Sequence, residues 1–168
     1  SRLARFQGAS KVSPCSNGLR YVAERPLSIP RIRSMPSTVF DSSIFRDLFG
    51  TPAMRAIFSD EALAQRYVEV EVALARAQAQ AGVIPRAAAE EIAARAAIGT
   101  IDLRKLKTET DVVGYPIVGV VHQMAKQSGD AGRYVHWGAT TQDIMDTASV
   151  LQIREALRLV DADLLAIE

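Results

Sequence analysis

Tyr134-Val-His-Trp-Gly-Ala-Thr-Thr-Gln-Asp-Ile-Met-Asp-Thr-Ala148 is the stretch on which the reading of this chain turns. A histidine, a tryptophan, a glycine and two hydroxyls are packed just ahead of a long apolar period, so the segment reads as a polar loop feeding a helix N-terminus. Free backbone N–H groups and the helix dipole there favour an anion. Thr140 and Thr141 therefore have two readings of equal standing: N-capping hydroxyls, or hydroxyls that hold a carboxylate. A nucleophilic threonine is disfavoured, because the sequence fixes no activating base beside it. His136 reads as a general acid or base or, more simply, as a histidine hydrogen-bonded into its loop. Trp137 reads as core or interface rather than as a stacking platform.

Downstream, Ile144, Ala148, Leu151, Ile153, Leu157, Val160 and Leu164 supply the expected buried face of the last helix, which is still apolar where the chain ends. Upstream, Ser59 is placed to cap a helix carrying Asp60 and Glu61 in its first turn. Leu63, Tyr67, Val70, Leu74, Ala77 and Ala81 form its apolar stripe, with Arg66, Glu69, Arg76 and Gln80 elsewhere, and Gly82 and Pro85 end it. Arg86 to Ile98 is an alanine-rich second helix with Gly99 as its stop. Asp102 to Lys107 reads as a short helical turn with a solvated basic face. Thr108 to Tyr115 reads as a loop delivered to a helix that Pro116 begins, since proline is tolerated in a first turn and not in an interior. His122 falls on the polar side of that helix as a surface or interface residue. Val39, Phe40, Ile44, Phe45, Leu48 and Phe49 form an apolar segment of short helix and turn, expected to pack into the core. No segment alternates as a strand does, and the expected fold class is all-α.

The 168 residues, 48% apolar and 23% charged, suit a globular chain. The net charge of +1 gives no reason to expect nucleic acid or a membrane surface as a partner. It conceals an asymmetry, because residues 1–34 carry seven Arg or Lys against one acid. Residues 1–36, punctuated by Pro14, Pro26, Pro30 and Pro36, read as a disordered leader or upstream segment, and residues 37–168 as the folded part. A transit peptide and a natural start at Met35 are both compatible with that leader. The single cysteine, Cys15, cannot form an internal disulfide, and the simplest compartment is the cytoplasm. No metal constellation, phosphate-binding glycine loop or dinucleotide pattern is present, so neither a metal nor an organic cofactor is expected.

Three segments carry a resemblance. Phe49-Gly-Thr-Pro-Ala-Met-Arg-Ala-Ile-Phe-Ser-Asp60 with the helix after it, Lys107-Thr-Glu-Thr-Asp-Val-Val-Gly-Tyr-Pro116, and Tyr134 to Ala148 resemble, in order and spacing, the N-terminal part of the fumarase/aspartase superfamily. Within it they look most like the 3-carboxy-cis,cis-muconate cycloisomerases of aromatic-compound (β-ketoadipate) catabolism. The resemblance implies the N-terminal helical domain of that fold and the start of its long bundle helix. It also implies a homotetramer with sites shared between subunits, a small di- or tricarboxylate substrate, and no cofactor. On that basis Thr140 and Thr141 would hold a substrate carboxylate, Gln142 and Asp143 would support the loop, and His136 would orient the loop or touch substrate. Thr110 and Asp111 would line the same site. Thr110 stands where adenylosuccinate lyases usually carry histidine, and Thr141 where the superfamily usually has serine. The general base is expected on a loop beyond Glu168, so the chain is expected to be a fragment that is inactive alone. The alternatives are a lyase of adenylosuccinate or argininosuccinate type, and a non-catalytic helical interaction module.

Overall fold

The computed structural model describes residues 38–98 and 101–167, and among them there are six α-helices and no strand. The leader expected over residues 1–36, with Cys15 and Met35, lies outside the described residues, as does Gly99. The helices are α1 Pro52–Ile57, α2 Asp60–Gln80, α3 Arg86–Ile98, α4 Leu103–Val113, α5 Pro116–Gln127 and α6 Thr141–Ile167, with a 3-10 turn, Gly129–Tyr134, between the last two. No described helix is long and apolar enough to cross a membrane.

The central element is α2, which packs against both α3 and α6. Ser59 caps it as expected, its hydroxyl accepting from the Ala62 N–H at 3.2 Å. Its buried residues are Ala64, Tyr67, Val68, Val70, Glu71 and Ala75. The expected stripe is therefore right at Tyr67 and Val70 but rotated beyond them, since Ala77 and Ala81 are exposed and a carboxylate lies in the buried row. Ala88, Ala89 and Ile92 of α3 are buried, their small side chains allowing close approach. Ile92, Ile117 and Val120 are almost wholly excluded from solvent, each contributing about 1.5–3 kcal/mol by burial.

The sequence predicts a loop over Thr108 to Tyr115, and the structure corrects this. Asp102 caps α4 by accepting from the Arg104 and Lys105 N–H groups at 3.0 and 3.1 Å, and the helix continues to Val113. Those N–H donors hold the Asp102 carboxyl below its ordinary pKa. Gly114, at φ 85°, ends the helix in the left-handed conformation, and Pro116 opens α5 in the position expected of it. The two helices pack closely through Gly119, where a Cβ would lie 2.8 Å from Leu106 Cδ1. The buried Gln123 ties α5 to the start of α4, accepting from the Asp102 N–H at 2.8 Å and donating to its carbonyl at 3.3 Å.

A second close approach sets the position of the polar loop. At Gly132 a Cβ would lie 2.8 Å from the Ala125 carbonyl carbon and 3.0 Å from its Cα. Backbone cannot yield as a side chain can, so Gly132→Ala is expected to destabilise the fold by about 1–3 kcal/mol. Chemical denaturation measures this, and a change below about 0.5 kcal/mol, the scale of an ordinary surface substitution, would contradict the packing.

The long helix α6 rests on α2 through Ile144, Ala148, Gln152 and Ala156. Arg66 of α2 pairs with Glu155 of α6, and Gln152 Nε2 donates to the Ile57 carbonyl at 2.7 Å, which ties the end of α1 down. Of the apolar face expected for α6, Ile144 and Ala148 are buried, while Ile153, Leu157, Val160 and Leu164 are exposed. The helix has two apolar sides, and α2 covers one. Val39, Phe40, Ile44, Phe45, Leu48 and Phe49 are exposed too, which corrects the expectation that they join the core. They lie in successive turns outside the helices.

Candidate functional site

The polar loop runs from the 3-10 turn to α6, and α2 grips it at two points on one helix face. Glu71 and Gln78 are seven residues apart, two turns of helix, so their side chains leave the same side. Gln78 Nε2 donates to the Trp137 carbonyl at 2.5 Å. Glu71, whose side chain is 1% exposed, meets His136 twice. Its Oε2 accepts the His136 backbone N–H at 3.1 Å, and its Oε1 lies 2.5 Å from His136 Nδ1. Burial pushes the Glu71 carboxyl above its ordinary pKa, and the contacts with His136 act against that push.

His136 has φ 60°, the one described residue other than glycine in the left-handed region. A side chain there is disfavoured by about 1–2 kcal/mol, and the two bonds from Glu71 offset that cost. It follows that His136→Gly should be more stable than His136→Ala by about 1 kcal/mol, although glycine is normally the more destabilising substitution. Thermal or chemical denaturation of the two variants decides this, and a more stable alanine variant would contradict the geometry.

Gly138, at φ 67°, turns the chain toward α6. Thr140 and Asp143 then form a reciprocal cap: the Thr140 N–H donates to Asp143 Oδ2 at 2.9 Å, and the Asp143 N–H reaches Thr140 Oγ1 at 3.4 Å. The local explanation thus accounts for Thr140. It does not account for Thr141, whose hydroxyl has no hydrogen-bond partner among the described residues. Gln142 runs along α6 to Asp146 rather than back to the loop, with its Nε2 2.5 Å from the carboxylate.

Thr110 and Asp111 are placed apart from this group. Thr110 Oγ1 donates to the Leu106 carbonyl at 2.8 Å, and Asp111 pairs with Lys107 at 2.5 Å. Both line a cavity of about 290 Å3 bounded by Asp60, Tyr67, Leu103 and Pro116. Neither His136 nor any residue of 140–143 lines that cavity, so this chain by itself does not bring the two groups into one chamber. His122 is exposed and pairs with Glu109 at 3.2 Å, as a surface residue does. Trp137 is half exposed and tilted against Tyr134 with ring centres 6.0 Å apart, so it is not a core residue. No group of three or more potential metal ligands occurs among the described residues.

Sequence reasoning missed Glu71. The available signal was its spacing: it lies four residues after Tyr67 and four before Ala75, so a carboxylate occupies the row that the apolar residues bury.

Known proteins share this arrangement of helices. The model of a family described as lyase matches residues 49–165. The 3-carboxy-cis,cis-muconate cycloisomerase of Acinetobacter baylyi is 49% identical over 125 residues, covering 71% of this chain and 28% of that protein. Trans-aconitate decarboxylase 1 of Mycosarcoma maydis is 44% identical over 131 residues, 77% of this chain and 27% of that protein. The crystal structure of the 3-carboxy-cis,cis-muconate lactonizing enzyme from Pseudomonas putida superposes with a TM-score of 0.69 at 41% identity, covering 73% of this chain and 29% of that one. The chain thus spans less than a third of the length of these relatives.

Proposed function

The chain belongs to the lyase family of the fumarase/aspartase superfamily, and from that premise we propose that it carries one wall of the active site of a 3-carboxy-cis,cis-muconate cycloisomerase. The observation that supports this reading is the division of labour at the start of α6. Thr140 is committed to the cap, while Thr141 presents a hydroxyl with no partner among the described residues beside helix N–H groups, where a carboxylate is favoured.

In the proposed reaction one carboxylate of the substrate adds across the neighbouring double bond. A proton is delivered to the adjacent carbon, so the lactone product is an isomer and no atom is gained or lost. Charge builds up on a substrate carboxylate as the C–O bond forms, and a fixed hydroxyl and helix N–H groups stabilise it most at that point. Thr141 holds the carboxylate, Thr140 and Asp143 fix the helix start, and His136 faces the substrate from the loop. Neither a metal nor an organic cofactor takes part in this scheme. Thr110 and Asp111 belong to the same reading only if another part of the protein or another subunit closes the distance. The exposed Leu157 and Leu164 of α6 offer an apolar face for such packing, consistent with a homotetramer.

A relative that decarboxylates trans-aconitate supports the substrate class, an unsaturated tricarboxylate, without selecting the reaction. Turnover of the complete protein that carries this segment selects it. Loss of the diene absorbance of 3-carboxy-cis,cis-muconate with lactone formation is the expected result. Turnover of trans-aconitate or adenylosuccinate, with carboxymuconate left untouched, would overturn the assignment.

A further inference from the structure

The loop histidine is held by a group that the proposed reaction does not require for binding substrate. Glu71 is buried in the face of α2, and both its oxygens are directed to one residue, the backbone N–H and the Nδ1 of His136. Ionised Glu71 is a double acceptor with no proton to give, and in that state the imidazole is the donor at the 2.5 Å contact. The left-handed backbone at His136 lets the N–H and the ring of one residue meet the same carboxylate. We propose that Glu71 is the positioning residue of this site: it holds the His136 ring with its Nδ1–H on the carboxylate and so leaves Nε2 as the nitrogen able to exchange a proton with substrate.

This rests on the reading of His136 as a substrate-facing group. The pairing itself does not. Histidine in water prefers the opposite tautomer, so the assignment has a spectroscopic signature that simple packing of the loop lacks. The chain has two histidines, and the exposed His122 provides an internal reference.

The chemistry of Glu71→Gln makes the test sharp. Glutamine keeps the shape but offers one acceptor and one donor in place of two acceptors. If its oxygen keeps the His136 N–H, its amide must donate to Nδ1, and the ring proton must move to Nε2. The variant therefore stays folded with the tautomer inverted.

Two-bond proton–nitrogen correlation spectra of the 15N-histidine-labelled chain near pH 8 read the tautomer directly. The expected result is protonated Nδ1 at His136 in the native chain and protonated Nε2 in Glu71→Gln, with His122 the same in both. Protonated Nε2 at His136 in the native chain, or no change on substitution, overturns the proposal. In the complete enzyme the same substitution should lower kcat about a hundredfold with KM changed less than about threefold. Equal kcat in the two proteins would also overturn it. Failure to turn over carboxymuconate would count against the substrate assignment alone, because the tautomer is read without substrate.

Discussion

Thr141→Ala should cripple substrate use while leaving the fold intact, and Thr140→Ala should do the reverse. Both residues are threonines at the start of α6, yet only Thr140 takes part in the reciprocal cap with Asp143. Removing that cap hydroxyl is expected to cost about 1 kcal/mol of stability. The Thr141 hydroxyl has no hydrogen-bond partner to lose among the described residues, so its removal should change stability by less than about 0.5 kcal/mol. A hydrogen bond from that hydroxyl to a charged carboxylate contributes about 1.5–3 kcal/mol, and its loss should lower kcat/KM of the complete enzyme about ten- to hundredfold. Steady-state kinetics and chemical denaturation of the pair check the prediction. If Thr141→Ala instead costs about 1 kcal/mol or more of stability, as loss of a cap does, and leaves kcat/KM of the folded enzyme unchanged, the hydroxyl is structural.

The largest effect on stability is expected at Glu71. Glu71→Ala leaves the His136 N–H and Nδ1 without their acceptor and opens a cavity under the loop, for a combined cost of about 3–5 kcal/mol, a large share of the stability of a small domain. Glu71→Gln should cost far less, because it keeps the volume and one acceptor. The native protein and Glu71→Gln differ in pH dependence as well. Burial raises the Glu71 carboxyl above its unfolded value of 4.5. The native state therefore binds more protons than the unfolded state between those two values. The contribution of Glu71 is complete below about pH 4.5 and is lost as pH rises through the raised value. Over that window native stability should fall relative to Glu71→Gln, which does not titrate. Denaturation of both proteins across pH 4 to 8 measures the difference, and a native protein that gains on the variant as pH rises would reverse the assigned sign.

Much of this architecture was legible where local chemistry and tertiary packing agree. Ser59, Pro116 and the alanines of α3 place three helices because each acts on its own neighbours, through a cap, a ring-locked φ or a small side chain. The failures have equally specific causes. Thr108-Glu-Thr-Asp111 is polar enough to pass for a loop, but the Asp102 cap and the bond from Thr110 to the Leu106 carbonyl draw it into α4. The helix α1, six residues long, is too short to show a period, although Thr51 before Pro52 is a sound start signal. The phenylalanines near residue 45 look like core by composition, and burial depends on whether another surface reaches them.

The site was legible in part for the same reason. Thr140 and Thr141 are adjacent and identical in the sequence, and only the geometry separates a cap from a free hydroxyl. Glu71 was hidden because its partner lies 65 positions away. A charged residue in an apolar row announces that a partner exists but not which one. The side chain of Gln142, expected on the loop, follows α6 instead because Asp146 is its neighbour one turn on.

Whether Thr141 holds a substrate carboxylate is decided by a crystal structure of the complete protein with a non-reacting tricarboxylate analogue. The expected result is a ligand carboxylate within about 3 Å, ordinary hydrogen-bond distance, of Thr141 Oγ1 and the first N–H groups of α6, with His136 still bonded to Glu71 and its Nε2 turned to the ligand. An analogue bound elsewhere, with the Thr141 hydroxyl facing solvent or a neighbouring subunit, would contradict it.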